Sequence, residues 1–350
     1  MVSIADVARR AGVSPTTVSH ALSGKRKVSE RVRARVESAM QELGYVPSRS
    51  AQNLAIGRTR VVGLIVPDIR NSFFADLTHG VEETAIGHGY NVILCTTGFD
   101  HAREVDYLAM IRSRAVDGLI YAAGAPPTNS QLGTLLGDLP LVLVDEEVPG
   151  ADAPSFVSDN LDGGRLVAEH LLELGHRRAV VIAADGDLVS SDLRVEGFRE
   201  RWGAAGAEAP LVVTGAFTEE GGREAVAVRL GTFRDGGPTA VFAVNDLMAF
   251  GAIGELRRAG IDVPGRVSVV GFDDIPAGRY AHPRLTTVRQ DVDGLGRRAA
   301  EALIAALEEE PGRPTAADRH VLPVSLTVRQ STAAPPAAPG STQGKADNRG

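Results

Sequence analysis

Apolar residues recur along this chain with two different periods, and the change between them divides it. Up to residue 46 they return at steps of three and four, as in Ile4, Val7, Ala8 and Ala11, which is the period of an amphipathic helix. From position 61 onward, short apolar runs of strand length alternate with helical stretches. The pattern therefore predicts a small helical domain followed by a larger α/β body.

Residues 4–22 predict two short helices joined by a tight turn. Gly12 ends the first helix, because glycine adopts a left-handed conformation without a Cβ clash. Ser14 is a natural N-cap for the second helix, and Pro15 suits its first position, where a missing N–H costs nothing. The side chains left on the outer face of this helix are Pro15, Thr16, Ser19 and His20. This pattern is typical of a DNA-reading helix-turn-helix, with an ordinary helical hairpin as the alternative.

A basic loop and a third helix follow. Lys25, Arg26 and Lys27 precede Ser29, which can cap a helix whose apolar residues have helical spacing. Beside a DNA-reading helix these cations are expected to contact phosphates, and the alternative is solvated surface charge. A proline then breaks the chain, and residues 48–57 predict a short helix that is stable only when packed against another surface.

The body repeats one pattern twice. Each half predicts apolar strands separated by helices, which is typical of parallel strands covered by helices on both faces. Two doubly wound units can face each other across a cleft, and such sheets bind ligands outside the carboxyl ends of their strands. The predicted strands lie at 61–66, 91–94, 118–121, 141–144, 179–183, 211–213, 240–243 and 267–272. The chain after 331 is rich in Ala, Pro and Gly, which predicts a disordered tail.

The net charge of -7 conceals an unequal distribution. Residues 1–60 hold 11 Lys and Arg against 4 Asp and Glu, a net +7, while the rest of the chain carries -14. A basic head on an acidic body indicates that the head binds a polyanion. The single cysteine, Cys95, excludes a disulfide within one chain, and its apolar surroundings predict a buried thiol. No apolar run reaches membrane-spanning length and the N-terminus predicts a helix rather than a signal peptide, so the protein is expected to be cytoplasmic, without a membrane partner.

Taken in order, the helix-turn-helix, basic loop, proline hinge and tandem α/β units resemble the LacI/GalR family of bacterial transcription regulators. The resemblance covers about residues 2–331 and rests on stretches such as TAVFAVNDLMAFGA at 239–252 and VPGRVSVVGFDD at 263–274. It implies an α/β fold with an N-terminal three-helix helix-turn-helix domain and a two-lobed body like that of periplasmic binding proteins, made of two doubly wound parallel sheets. The implied boundaries are 1–46 for the DNA-binding domain, 47–60 for the hinge helix and linker, 61–331 for the body, and 332–350 for the tail. The body divides into an N-lobe at about 61–159 plus 291–320 and a C-lobe at about 160–290 plus 321–331.

The resemblance also implies which residues meet DNA. Those that match the recognition helix are Ser14, Pro15, Thr16, Thr17, Ser19 and His20. Of these, Thr16 can touch a thymine methyl group and His20 can donate to a purine acceptor. Lys25 and Arg26 are the expected phosphate contacts. The family's hinge helix maps onto 48–55, where Leu54 matches the leucine that wedges into the minor groove and kinks the DNA.

Seven residues match the positions at which the family binds its effector, namely Phe73, Phe74, Asp145, Arg194, Phe217, Asn245 and Asp273. Arginine, amide and carboxylate side chains can hold vicinal hydroxyls and an aromatic ring can lie against a sugar face, so the expected effector is a sugar. Each residue has a structural alternative, such as core packing for Phe73 and Phe74. Purine-sensing members place further polar contacts just before the Arg194 position, where this chain has Leu188 and Ser190. This weakens the nucleobase alternative without excluding it.

The leading interpretation is a ligand-responsive DNA-binding regulator, specifically a repressor that binds a palindromic operator as a homodimer. A sugar-binding transport protein is compatible with the body alone, but the basic head argues against it. An enzyme is the third class, and the chain lacks the G-x-x-x-x-G-K-[ST], G-x-G-x-x-G and G-x-S-x-G patterns. Its histidines have no metal-ligand spacing, so neither a metal nor a cofactor is expected. The identity of the effector, the sign of its effect and the operator sequence stay open, and the absence of C-terminal leucine heptads gives no support for a tetramer.

Overall fold

The computed structural model describes residues 2–23, 26–45, 58–112, 116–233, 237–308 and 317–336. Three helices form a small core of their own at the N-terminus: α1 (Ile4–Ala11), α2 (Pro15–Ser23) and α3 (Glu30–Leu43). The buried members of this core are Val7, Ala8, Ala11, Val18, Val36 and Ala39. The left-handed glycines Gly12 and Gly44 end α1 and α3, and Gly12 confirms the predicted end of the first helix.

Side chains form hydrogen bonds with the backbone groups at both ends of α1. Ser3 Oγ accepts a hydrogen bond from the Asp6 backbone N–H at 3.3 Å, and the Asp6 carboxylate accepts from the Ser3 N–H at 3.0 Å. At the other end, the Arg35 guanidinium donates to the carbonyls of Ala11 and Gly12. This arginine of α3 therefore satisfies carbonyl groups that the last turn of α1 leaves without a partner.

The body confirms the predicted α/β architecture with alternating strands and helices. The strands are β1 (Val61–Val66), β2 (Asn91–Thr96), β3 (Gly118–Tyr121), β4 (Leu141–Val144), β5 (Ser155–Ser158), β6 (Ala179–Ala184), β7 (Leu211–Gly215), β8 (Ala240–Ala243), β9 (Ser268–Asp273), β10 (Thr286–Arg289), β11 (Arg319–Leu322) and β12 (Ser325–Thr327). The α-helices are α4 (Ser72–Gly87), α5 (His101–Ile111), α6 (Asn129–Leu136), α7 (Asn160–Glu173), α8 (Val189–Ala204), α9 (Glu219–Ala227), α10 (Asp246–Arg258) and α11 (Val292–Glu308). Short 3-10 helices lie at Leu230–Phe233 and Pro276–Arg279.

The strands form two six-stranded sheets, one in each lobe. The order is β11-β5-β4-β3-β1-β2 in the N-lobe and β12-β10-β9-β8-β6-β7 in the C-lobe. Neighbouring strands are parallel except for β10 and β12, which run antiparallel. Each sheet therefore has its strand ends available to a ligand on one side, as expected for doubly wound folds.

The chain crosses between the lobes three times, between β5 and α7, between β10 and α11, and between β11 and β12. The first two crossings fall where the resemblance placed them. The third lies later than expected, because β11 pairs in parallel with β5 from Arg319 opposite Ser155 to Leu322 opposite Ser158. The N-lobe therefore extends to 322 rather than 320.

Four short strands of the described chain, β5, β10, β11 and β12, are not predicted by the hydrophobic pattern. Each has three or four residues and carries polar side chains, as in SFVS, TTVR, RHVL and SLT. These segments lack the continuous apolar run by which the other four-residue strands, such as LVLV and AVFA, are predicted. Their conformation comes from pairing with the longer strands beside them.

The segment that follows Ser331 belongs to the C-lobe, which corrects the predicted start of the tail at 332. The Thr332 hydroxyl lies 3.0 Å from His170 Nε2. Ala333 donates its N–H to Ser268 Oγ at 3.0 Å, and its carbonyl lies 2.9 Å from His176 Nε2. Buried polar groups of the sheet need partners, and this segment supplies them. Residues 337–350 of the predicted tail lie outside the described residues.

Helices α7 and α8 pack so closely that two of their glycines leave no room for a side chain. A Cβ on Gly164 of α7 would lie 2.1 Å from the carbonyl oxygen of Arg194, and one on Gly197 of α8 would lie 1.9 Å from that of Leu161. The same contact brings the Asn160 side chain of α7 within hydrogen-bond distance of Arg194. Backbone packing between two helices thus prepares the position of a predicted ligand-binding residue.

The substitution Gly197→Ala is expected to lower the free energy of unfolding by about 1–3 kcal/mol, because the added methyl forces α7 and α8 apart. Gly203 lies on the same helix with open space around it. Gly203→Ala is therefore the matched control, and its higher helix propensity should leave stability unchanged or raise it by up to ~1 kcal/mol. Urea denaturation of both variants provides the measurement, and equal effects would contradict the packing argument.

Candidate functional site

The recognition-helix candidates surround the N-terminus of α2. Ser14 is the predicted N-cap, since its Oγ accepts from the Thr17 N–H at 3.1 Å and lies 2.8 Å from the Thr17 hydroxyl. The exposed members of the set are Ser14, Pro15 and Thr16, and the half-buried members are Thr17, Ser19 and His20. Pro15 and Thr16 are therefore accessible at the end of the helix that a helix-turn-helix presents to the major groove.

Three further residues were expected to contact DNA. Arg26 is exposed in the loop after α2, where it is accessible to a phosphate group. Lys25 and Leu54 lie outside the described residues, as does the hinge helix predicted at 48–57.

The predicted effector residues converge at the carboxyl ends of strands in both lobes. Asp145 directly follows β4 of the N-lobe, and Asp273 is the last residue of β9 in the C-lobe. Phe217 and Asn245 follow β7 and β8. Arg194 reaches the same place from α8 and lies within electrostatic range of Asp145 and Asp273. The arrangement is an interlobe cleft of the kind that the sequence predicts.

Arg194 is a buried cation, with 2% of its surface exposed. Its Nε donates to Asn160 Oδ1 at 2.8 Å, and its Nη1 donates to the Val244 carbonyl at 2.7 Å. The same Nη1 lies 3.6 Å from Asp273 Oδ1. The guanidinium also lies over the Phe272 ring, 3.8 Å from its centre. Because a buried charge is stable only with partners on all sides, these contacts hold the guanidinium in one orientation.

Asp145, which is half-buried, and Asp273, which is buried, both have an unusual backbone conformation. Their φ angles are 67° and 114°, in the left-handed region that costs a non-glycine residue about 1–3 kcal/mol and that is enriched at ligand sites. Burial raises the pKa of each carboxyl to about 7, against the opposing effect of Arg194. Both groups therefore titrate near neutral pH.

Glu146 joins the two lobes, and the sequence reasoning did not identify it. Its buried carboxylate accepts from Ser190 Oγ at 2.6 Å and from the Ser190 N–H at 3.1 Å. Ser190 lies in the first turn of α8, so the N-lobe carboxylate meets the positive end of a C-lobe helix. Burial raises the pKa of Glu146 to about 7. In the sequence, Asp-Glu-Glu at 145–147 has the composition of a surface loop. Only the position of Glu146 next to Asp145, a predicted ligand-binding residue, could have indicated this contact.

Two predicted ligand contacts also have structural partners. The ring centre of Phe217 lies 6.1 Å from that of Phe99, an N-lobe residue with a φ of 58° that the sequence reasoning missed. Asn245 caps α10, since its Oδ1 accepts from the Met248 N–H at 2.7 Å. Phe217 therefore contacts an aromatic ring of the opposite lobe. The amide oxygen of Asn245 is occupied by its hydrogen bond to the N-terminus of α10.

Phe73 and Phe74 are both buried in the N-lobe core, where their rings pack edge to face at 5.0 Å between centres. This matches the structural alternative of core packing. Phe73 also lines a cavity of about 220 Å³ between the lobes, whose other walls include Asp273, Ile275 and Gln290. Phe73 thus has a place at the cleft as well as in the core.

Outside the cleft, Cys95 is buried as predicted, and burial raises the pKa of its thiol. In the part of the chain that the structure describes, no three His, Cys, Asp or Glu side chains are grouped so that they could hold a metal ion. No helix of that part combines the length and the apolar composition that crossing a membrane requires.

Comparison with known proteins finds the same two parts. The family "Bacterial regulatory proteins, lacI family" matches residues 3–48, and "Periplasmic binding protein-like domain" matches residues 168–332. The HTH-type transcriptional regulator DegA of Bacillus subtilis is 34% identical over 335 residues, which are 94% of this chain and 98% of DegA.

Solved structures agree in fold over nearly the whole chain. The lac repressor dimer bound to operator and the anti-inducer ONPF superposes with a TM-score of 0.80 and 28% identity, over 95% of this chain and 99% of that one. The complex of the transcriptional regulator CelR with cellobiose superposes with a TM-score of 0.68 and 33% identity, over 95% and 100% of the two chains. Head and body are thus matched together and in the same order, and the chain belongs to the LacI family of DNA-binding transcriptional regulators.

Proposed function

We propose that this protein is a repressor that binds a palindromic operator as a homodimer and whose operator affinity changes when a sugar binds between its lobes. The observation that carries the proposal is the interlobe cleft in which Arg194, Asp145 and Asp273 meet at the carboxyl ends of strands. Guanidinium and carboxylate groups are suited to hold the vicinal hydroxyls of a sugar. The similarity to a regulator solved with cellobiose supports a sugar as the effector class.

A ligand in this cleft is positioned to change the angle between the lobes. Contacts between Glu146 and Ser190 and between Phe99 and Phe217 span the gap directly. A ligand that binds one lobe arrangement more tightly than another shifts the equilibrium between them. In the proposal, this shift reaches the DNA-binding heads through the hinge predicted at 47–60.

The proposed homodimer has a suitable surface on the N-lobe. Strand β2 is at the edge of its sheet and exposes Ile93 and Leu94, and the preceding helix α4 exposes Ile86. Exposed apolar side chains on an edge strand favour association with a second copy. Two heads related by a two-fold axis would then read a palindrome of about 16–20 base pairs. The similarity to the lac repressor dimer on its operator supports this arrangement.

The DNA interface is tested with the duplex that the protein itself selects from a random-sequence pool. Thr16→Ala removes a proposed base contact, so its affinity for the selected duplex should fall about 5- to 150-fold, corresponding to about 1–3 kcal/mol. Thr134→Ala, at an exposed threonine of α6, is the matched control and should bind like the wild type. Fluorescence anisotropy at fixed salt gives the affinities.

The role of Arg26 is separable from that of Thr16 by salt dependence. Arg26→Ala removes a proposed phosphate contact, which should weaken binding to all duplexes alike and reduce the slope of log affinity against log salt by about 1. The measurement is a salt titration of both variants on selected and unrelated duplexes. A wild-type protein that shows no sequence preference, or no steep salt dependence, would disprove the proposed operator binding.

The cleft carboxyls are expected to lower the stability of the ligand-free protein, as is usual for groups retained for binding. Because burial raises the pKa of Asp145 to about 7, the folded protein takes up this proton at a higher pH than the unfolded chain does. Its neutral form therefore supports the fold fully only below the unfolded pKa of about 4, and this contribution is lost as the pH rises from there to about 7.

Asp145→Asn should therefore melt at a higher temperature than the wild type at pH 8, with the difference shrinking toward pH 5. Thermal denaturation across this pH range measures the effect. Asp185→Asn, at an exposed aspartate after β6, is the control and should show no such pH-dependent difference. If the melting temperatures of Asp145→Asn and the wild type differ by the same amount at pH 8 and pH 5, the burial of Asp145 does not lower the stability of the ligand-free protein in the expected way.

A further inference from the structure

Gln290 keeps an amide oxygen without a hydrogen-bond partner at the wall of the interlobe cavity. The residue is 6% exposed, and its Nε2 donates to Asp273 Oδ1 at 2.7 Å. This bond uses the amide nitrogen, and the amide oxygen Oε1 receives no hydrogen bond. Within the described ranges, three buried side-chain polar atoms lack a partner, and the other two, on Tyr90 and Ser158, belong to residues away from the cavity wall. An unpaired buried acceptor costs about 1–3 kcal/mol, so its retention needs an explanation.

The cationic side chains that line the cavity with Gln290 each face a carboxylate, and the most loosely held is Arg279, whose Nη2 lies 4.0 Å from Asp274 Oδ2. Arg289 lines the same cavity, and its Nε donates to Asp274 Oδ2 at 2.7 Å. The Nδ1 of His79 lies 3.1 Å from the Asp293 carboxylate. Beside the cavity, Arg194 donates hydrogen bonds to Asn160 Oδ1 and to the Val244 carbonyl, and it lies 3.6 Å from Asp273 Oδ1. A ligand between the lobes therefore meets a surface that is richer in acceptors than in donors.

The cleft next to this cavity also holds more buried acid than base. Arg194 lies within electrostatic range of Asp145, Glu146 and Asp273, so that one guanidinium faces three carboxyls. The pKa of each carboxyl is raised by burial in spite of this cation. Asp246, fully buried behind Asp273, adds a fourth acidic group. A further negative charge brought by a ligand would be repelled here.

We propose that Gln290 is a specificity-determining residue of the effector site, that its amide oxygen accepts a hydrogen bond from the effector, and that the effector presents donors and carries no negative charge. This inference rests on the proposed function, since it requires an effector between the lobes. Uncharged polyols and amino sugars carry hydroxyl or ammonium donors that can pair with the Gln290 oxygen and with the surrounding carboxyls. Sugar phosphates and sugar acids would place a negative charge against the carboxyls. The resulting repulsion weakens the binding of these anionic compounds and leaves the binding of uncharged sugars unchanged.

The first experiment compares compounds of different charge on the full chain. Melting temperatures are measured at pH 8 with glucose, ribose, cellobiose and glucosamine, with the anions glucose 6-phosphate, ribose 5-phosphate and gluconate, and with adenine and guanine. We expect a rise for at least one uncharged or cationic compound and none for the anions. An anion that raises the melting temperature more than its uncharged parent overturns the inference but leaves a ligand-controlled regulator intact. A panel without any shift contradicts the proposed sugar response itself, which distinguishes the two failures.

The second experiment tests Gln290 with the compound that gives the largest shift and with its set of deoxy analogues. In the wild type, the deoxy analogue that lacks the donor to Gln290 should bind at least tenfold more weakly than the parent compound. Gln290→Met has similar length and no acceptor, so it should weaken the parent about tenfold and abolish the preference at that one position. Gln330→Met makes the same change at an exposed glutamine of the C-terminal segment and should preserve both values.

A structural role for Gln290 predicts a different result. If Gln290→Met weakens the parent compound and every deoxy analogue by the same factor, the residue only supports Asp273 and the inference is wrong. If this variant does not fold, Gln290→Asn is measured in the same way, because it keeps the amide and withdraws its oxygen by one carbon. Retention of the full wild-type preference by a folded Gln290→Asn protein would also overturn the inference.

Discussion

The burial of one guanidinium determines how the C-lobe side of the cleft is built. Arg194 is withdrawn from water, and a buried charge is tolerable only if its N–H groups and its charge find partners. Those partners are Asn160, the Val244 carbonyl and Asp273, which come from three separate parts of the lobe. The close packing of α7 on α8 at Gly197 brings the first of them into reach. The rest of the cleft is arranged around this fixed cation.

Acidic groups surround that cation in excess, and they also connect the lobes. Glu146 extends from the N-lobe to the N-terminus of α8, while Asp145 and Asp273 adopt left-handed backbone conformations beside Arg194. Each of these features lowers the stability of the ligand-free protein, because it strains the backbone or removes a carboxyl group from solvent. A ligand with suitable donors would relieve part of this cost. In the proposed function, the features that weaken the ligand-free fold are those that make the cleft selective.

The parts of the fold that sequence reasoning predicts well have local causes. Ser14 caps α2 and Gly12 ends α1 through contacts within a few residues, so the sequence around them is sufficient. The segment at 332–333 is different, because its partners Ser268 and His176 are 65 and 157 residues distant along the chain. Its composition resembles that of a disordered tail, and nothing near it in the sequence reveals the pairing. Strand β11 was not predicted for the same reason, since its partner β5 lies more than 150 residues earlier in the chain.

By itself, the sequence determined the family, the order of head and body, and the alternation of strands and helices. These follow from short periodic patterns and from motifs that occupy neighbouring positions. Only the tertiary structure decided that Glu146 bonds to Ser190 and that the Gln290 oxygen has no partner. The physical reason is that burial and hydrogen bonding depend on groups that the three chain crossings bring together from both lobes, and no local pattern records which groups those are.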